Sequence, residues 1–99
     1  MASSPSFPVA TAAVSWTDGS GRHIRVYSTD SYKVTERCWD DGSGWTNGGF
    51  SAVGAAVSAT CWQGDGGVSI RVYCTFEDET VEYCWDPGTG WYQGGYTID

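Results

Sequence analysis

The chain writes itself twice at a fixed offset of 46 residues. Ile24-Arg25-Val26-Tyr27, Glu36, Cys38-Trp39-Asp40, Trp45 and Gly48-Gly49-Phe50 return as Ile70-Arg71-Val72-Tyr73, Glu82, Cys84-Trp85-Asp86, Trp91 and Gly94-Gly95-Tyr96. From Ala12 to Val53, 17 of 42 positions carry the same residue 46 places on, with no insertion or deletion between the copies. Whatever one copy folds into, the other folds into as well. The chain divides into an N-terminal arm at 1–11, which holds Pro5 and Pro8, a first repeat at 12–53 and a second at 58–99.

Each repeat reads as four short strands. Fourteen Gly, six Trp and six Tyr among 99 residues, with no Leu, oppose helices and favour strands joined by tight turns. Asp18-Gly19-Ser20-Gly21, Thr29-Asp30-Ser31 and Asp41-Gly42-Ser43-Gly44 cut the first copy into strands over 13–17, 22–28, 33–39 and 45–50. Gly64-Asp65-Gly66-Gly67, Glu77-Asp78 and Pro87-Gly88-Thr89-Gly90 cut the second into 59–63, 69–75, 80–85 and 91–97.

A repeat of this length with four antiparallel strands is the pattern of a β-propeller blade. Propellers close with about 4 to 8 blades. Two blades leave sheet faces uncovered, so the expectation is an all-β ring built from several chains, one domain completed by oligomerisation. A two-sheet sandwich from a single chain is the competing arrangement.

Charge narrows the partners. Twelve acidic against five basic residues give a net charge of -7, which disfavours nucleic acid and anionic membrane surfaces. No apolar run approaches the roughly 20 residues of a membrane-spanning helix. The first eleven residues carry no Lys or Arg and do not read as a secretory signal.

Chemistry lies in what both copies keep. Six Trp exceed the needs of a core this size, and rings at strand ends build contact surfaces, although Trp16 and Trp62 are expected to pack largely between blades. Arg25 with Glu36, and Arg71 with Glu82, read in two ways. They are cross-strand ion pairs, which when exposed contribute only about 0.2–1 kcal/mol. Alternatively, a guanidinium beside a carboxylate offers donors next to acceptors and suits adjacent hydroxyls on a sugar ring, whose C–H face stacks on a nearby Trp.

The ordered string I-R-V-Y, E-x-C-W-D, G-W and G-G-[FY], present twice, resembles the small two-repeat bacterial and fungal fucose-binding lectins of the Aleuria aurantia lectin type. The resemblance covers about Ala12 to Asp99. It implies a homotrimer forming a six-bladed propeller that binds L-fucose and fucosylated glycans between neighbouring blades without catalysis. It further implies one site within the chain, from Arg25, Glu36, Gly49, Trp85 and Trp91, and a second between chains, from Arg71, Glu82 and Gly95 with Trp39 and Trp45 of an adjacent copy. Gly49 and Gly95 stand where many members carry Ala. Tyr92 aligns with Thr46 and Tyr83 with Arg37, so the two sites are expected to differ. The alternative from another class is a protein–protein adaptor propeller using the Trp-rich rim.

An enzyme is not expected. Glycosidase chemistry needs two carboxylates in unlike environments, and the repeat makes those of Glu36 and Glu82 alike. His23 is the sole histidine, read as a partly exposed strand residue. The Asp-Gly-Ser-Gly runs lack the alternating oxygen ligands of a calcium loop, and no metal or cofactor is expected. Cys38 and Cys84, equivalent on separate blades, read as buried thiols; Cys61 and Cys74 read as free, with a bridge between them as the alternative. A glycan reader acts outside the cell, so the expected setting is extracellular, reached without a classical signal.

Overall fold

The computed structural model describes residues 9–98, so most of the arm expected at 1–11 lies outside the described residues. Eight antiparallel strands form two separate four-stranded sheets in simple meander order. The first sheet holds β1 (Ala10–Asp18), β2 (Gly21–Asp30), β3 (Lys33–Asp40) and β4 (Gly44–Val53). The second holds β5 (Ala56–Gly64), β6 (Gly67–Phe76), β7 (Glu79–Asp86) and β8 (Gly90–Gln93). All eight strands lie where the turn residues placed them, most with longer ends.

The tightest hairpins use two-residue loops. Ser31-Tyr32 and Glu77-Asp78 occupy the left-handed region, with φ of 52° and 65° in the first and 51° and 65° in the second, as a turn matching the strand twist requires. The last strand is shorter than the expected 91–97. After Gln93 the chain leaves the ladder: Gly94 N–H donates to the Glu82 carbonyl at 2.8 Å and Tyr96 N–H to the Glu82 carboxylate at 3.2 Å, so a side chain replaces regular pairing. In the first sheet the same place is an irregularity between Thr35 and Arg37, after which β4 resumes pairing to Val53.

Strand alternation and register sort the side chains onto two faces. On the first sheet, Trp16 opposes His23, Val14 opposes Arg25, Arg25 opposes Cys38, Tyr27 opposes Glu36 and His23 opposes Asp40, so these share a front face. Ile24, Trp39 and Trp45 share the reverse face. The second sheet repeats the pattern, with Trp62, Arg71, Tyr73, Glu82, Cys84 and Asp86 in front and Ile70, Trp85 and Trp91 behind.

The sheets pack front to back. Val14, Tyr27, Val34 and Phe50 from the front of the first sheet meet Ile70, Val72 and Cys74 from the reverse of the second. Fully burying an apolar side chain such as Val34 or Val72 contributes about 1.5–3 kcal/mol. The closest approach between the sheets runs through their first strands, β1 and β5. This places the strands as two successive blades, as expected in preference to the sandwich.

Front-to-back stacking leaves the reverse of the first blade and the front of the second uncovered in a single chain. Equivalent residues differ accordingly. Tyr27 is 0 % exposed while Tyr73 is half-buried, and Trp45 is 47 % exposed while Trp91 is half-buried. Trp16 is half-buried at the seam, but Trp62, expected to pack between blades, is 48 % exposed because no blade follows its face. The cysteines are all free thiols. Cys74 opposes Val57, four residues from Cys61, or about 13 Å along the strand at 3.3 Å per residue, too far to bridge. Cys61 faces the first blade, its thiol 3.5 Å from the Ser15 carbonyl.

Candidate functional site

A cavity of about 540 Å³ opens at the seam, within the range of small-molecule sites. From the first blade it takes Arg25, Glu36 and Gly49; from the second it takes Trp85 and Trp91, with Val68 and Ile70 beside them. All five residues expected for the site within the chain therefore meet in one pocket. The reason is the register: Arg25 and Glu36 lie on the front of one blade, and Trp85 and Trp91 on the reverse of the next.

Arg25 is held at one nitrogen. Its Nη1 donates to the Ile24 carbonyl at 3.0 Å, the Trp39 carbonyl at 3.2 Å and Asp40 Oδ1 at 3.0 Å, and its guanidinium lies 5.0 Å over the Trp16 ring. No other guanidinium nitrogen of Arg25 has a hydrogen-bond partner among the described residues, so donors remain for a ligand. The Arg25–Glu36 ion pair weighed from sequence does not form. Cys38 opposes Arg25, and Glu36 and Asp40 flank it by two residues on the same face, so both carboxylates are diagonal neighbours of the guanidinium. Tyr27, directly opposite Glu36, donates its hydroxyl to Glu36 Oε2 at 2.8 Å, and the guanidinium turns to Asp40.

Glu36 is 7 % exposed, with its carboxyl against Gly48. A Cβ on Gly48 would overlap that carboxyl, with Cγ 2.6 Å away; a Cβ on Gly49 would meet nothing within 4 Å. The first glycine makes room for the acid and the second leaves the pocket wall bare. Burial pushes the Tyr27 hydroxyl far above the usual tyrosine range, reinforced by the neighbouring Glu36, so it stays a neutral donor. Burial also raises the Cys38 thiol.

His23 closes one end of the cavity. It is stacked on Trp16 with centroids 5.1 Å apart. Its Nδ1 lies 2.5 Å from Asp40 Oδ1 and its Nε2 2.9 Å from Asp18 Oδ1. Hydrogen bonding to Asp40, then to Asp18, raises its pKa above the ordinary 6.5. Burial opposes ionisation of Asp40, but the bonds to His23 and Arg25 outweigh it and hold that carboxyl below the usual range. Asp18 is lowered further, first by the Ser20 hydroxyl, which donates to it at 2.7 Å, and then by His23. With the Ser20 N–H at 2.9 Å, Asp18 closes an Asx turn. Thus His23 is a strand residue, as expected, but one that lines the pocket.

The residues expected for the second site lie apart on the two uncovered faces. Arg71, Glu82 and Gly95 belong to the second blade; Trp39 and Trp45, with centroids 5.8 Å apart, belong to the reverse of the first. Arg71 repeats the arrangement of Arg25, with Nη1 at 3.0 Å from Asp86 Oδ1 and the guanidinium 4.8 Å over Trp62. Tyr73 donates to Glu82 Oε2 at 2.8 Å. Two details differ. Arg71 Nη2 also reaches Asp86 Oδ2 at 3.4 Å, and the Tyr92 hydroxyl donates to the same oxygen, holding the Asp86 carboxyl down at about 2. Sequence reasoning missed Asp40, Asp86, Tyr27 and Tyr73. The signal was present, since E-x-C-W-D places Glu and Asp on one face and I-R-V-Y places Arg and Tyr there too.

Comparison with known proteins gives concordant findings. A family model described as fungal fucose-specific lectin matches residues 3–99. No curated protein sequence matches significantly. Among solved structures, a mutant of Aleuria aurantia lectin in complex with α-methyl-L-fucoside is 29 % identical, with a TM-score of 0.75 over 89 % of this chain and 30 % of that one. Another structure of that lectin, described as a six-bladed β-propeller with a novel fucose recognition mode, gives 29 % identity and a TM-score of 0.74 over the same shares. SapL1 lectin in complex with α-methyl fucoside is 38 % identical, with a TM-score of 0.69 over 93 % of this chain and 32 % of that one. The chain spans about a third of the length of these lectins.

Proposed function

The chain belongs to the fungal fucose-specific lectin family, and we propose that it is a multivalent lectin that holds L-fucose and fucosylated glycans at its blade seams without acting on them. The observation that carries this reading is the convergence of Arg25 and Glu36 from one blade with Trp85 and Trp91 from the next in a single cavity. Guanidinium donors and carboxylate acceptors bind neighbouring ring hydroxyls with charge-assisted hydrogen bonds, and the indoles take the C–H face. Val68 and Ile70 offer an apolar setting for the fucose methyl group, where a hydroxyl would lose its water partners.

Several chains complete the assembly. The reverse of the first blade and the front of the second match the surfaces that already pack inside the chain, so the same packing step repeated between copies is a head-to-tail interface that closes a ring. Three chains supply six blades, in keeping with the six-bladed relative of which this chain spans 30 %. Each junction then brings Arg71, Glu82 and Gly95 to Trp39 and Trp45 of the neighbouring copy. Linked sites gain avidity of about 10²–10⁴ on a glycan-rich surface. Such surfaces lie outside cells, where we place the protein's action.

Binding without turnover is supported by the state of the carboxyls. Asp40 is held as an ionised anchor for Arg25, so it is not set up as the protonated acid a glycosidase uses, and Glu36 Oε2 is taken up by the Tyr27 hydroxyl. The test is a tryptophan-fluorescence titration with L-fucose. The parent is expected to saturate, and Arg25→Ala with Arg71→Ala to lose binding; a double variant that binds as tightly as the parent overturns the assignment.

A further inference from the structure

Beside the seam pocket lies a second cavity of about 260 Å³, and the two share Gly49 and Trp91. The rest of its lining is Phe50 and Ser51 from β4 with Tyr83, Tyr92 and Gln93 from β7 and β8. At Gly49 the partition between the cavities is backbone alone, since even a Cβ there would meet nothing within 4 Å. Trp91 borders both.

The lining is rigid and amphipathic. Phe50 sits 4.6 Å from Trp91 and 5.3 Å from Tyr83, centroid to centroid, so the rings brace one another across the seam. Gln93 opposes Tyr83 and shares its face, so its amide stands next to them, and no acidic or basic side chain lines the cavity. Ring faces beside neutral hydrogen-bonding groups suit an uncharged pyranose, whose C–H face stacks while its hydroxyl or acetamido groups pair with the amide. We propose that this cavity is a subsite for the sugar ring linked to fucose in a fucosylated oligosaccharide. It rests on the lectin reading above, and extends it from a monosaccharide to the linkage around it.

The repeat supplies a contrast. Where the second blade carries Tyr83, Tyr92 and Gln93, the first carries Arg37, Thr46 and Asn47, with Arg37 Nη1 donating to Asn47 Oδ1 at 2.6 Å. That face has a cationic, ring-poor wall in place of an aromatic one. The subsite therefore belongs to the seam inside the chain, and the two kinds of site select different neighbours of fucose.

The experiment compares α-methyl-L-fucoside with disaccharides carrying fucose in its common linkages to galactose or N-acetylglucosamine, titrated into the intact protein. At least one disaccharide is expected to bind the seam site about five- to tenfold tighter than the methyl glycoside. Tyr83→Arg, which installs the residue of the other blade, brings that ratio close to one. Gln93→Ala, at an exposed position, lowers it in a protein whose packing is untouched. If every disaccharide binds like the methyl fucoside, or if the ratio is unchanged in both variants, the subsite is refuted. If the parent binds no fucoside at all, it is the lectin reading that fails.

Discussion

Gly48 and Gly49 are adjacent, and the same substitution at each should have opposite consequences. A Cβ on Gly48 falls on the Glu36 carboxyl, with Cδ 2.5 Å away, whereas a Cβ on Gly49 finds open space. Neither glycine has a positive φ, so backbone strain does not enter. In Gly48→Ala the Glu36 carboxylate must move, and it is buried and bound to Tyr27 at 2.8 Å. Losing a hydrogen bond to a charged group costs about 1.5–3 kcal/mol; keeping it by overpacking costs about 1–3 kcal/mol. With the bond lost, the thermal midpoint falls by at least about 6 °C for a chain of this size. Gly49→Ala should stay within about 0.5 kcal/mol of the parent. Thermal and urea unfolding followed by tryptophan fluorescence measure both. Equal stability of the two variants, or greater damage from Gly49→Ala, would refute the placement of Glu36.

Three further outcomes follow from the same geometry. His23 has its pKa raised by Asp40 and Asp18, so its contribution to stability is complete below about 6.5 and is lost as pH rises through the raised value. The urea midpoint should therefore decline as pH rises above about 6.5, and His23→Ser, the residue of the second blade, should remove that slope; a slope that persists would place its cause elsewhere. Thiol titration should count four free cysteines after unfolding, and in the folded protein Cys74 should react slowly, since burial raises its thiol to about 11; a mass two hydrogens lower under nonreducing conditions would contradict this. Sedimentation should give an assembly of about 32 kDa from chains of 10.7 kDa, and a compact monomer at micromolar concentration would rule out the ring.

The blades were legible because their signals are local. Gly-rich turns and strand alternation act over a few residues, and the 46-residue offset let each copy check the other. The early end of β8 was not, because it depends on the Glu82 carboxylate replacing a ladder bond at Tyr96, a choice made by a side chain on another strand. The site divided in the same way. The convergence of Arg25 with Trp85 and Trp91 came from the family resemblance and is explained by front-to-back packing, which periodicity alone does not reveal. Which carboxylate Arg25 would take could not be read from spacing, since Glu36 and Asp40 are symmetric about Cys38; Tyr27 opposite Glu36 breaks the tie. The clamp on His23 escaped notice because the second copy has Ser69 there, and a comparison of copies favours what both keep.

Calorimetric titration of the intact protein with L-fucose tests the central claim most directly, because it reads both the ligand and the number of seams. Saturable binding at two sugars per chain is expected, one at the seam within the chain and one at the seam between copies. No saturable uptake of fucose by a folded protein would contradict it.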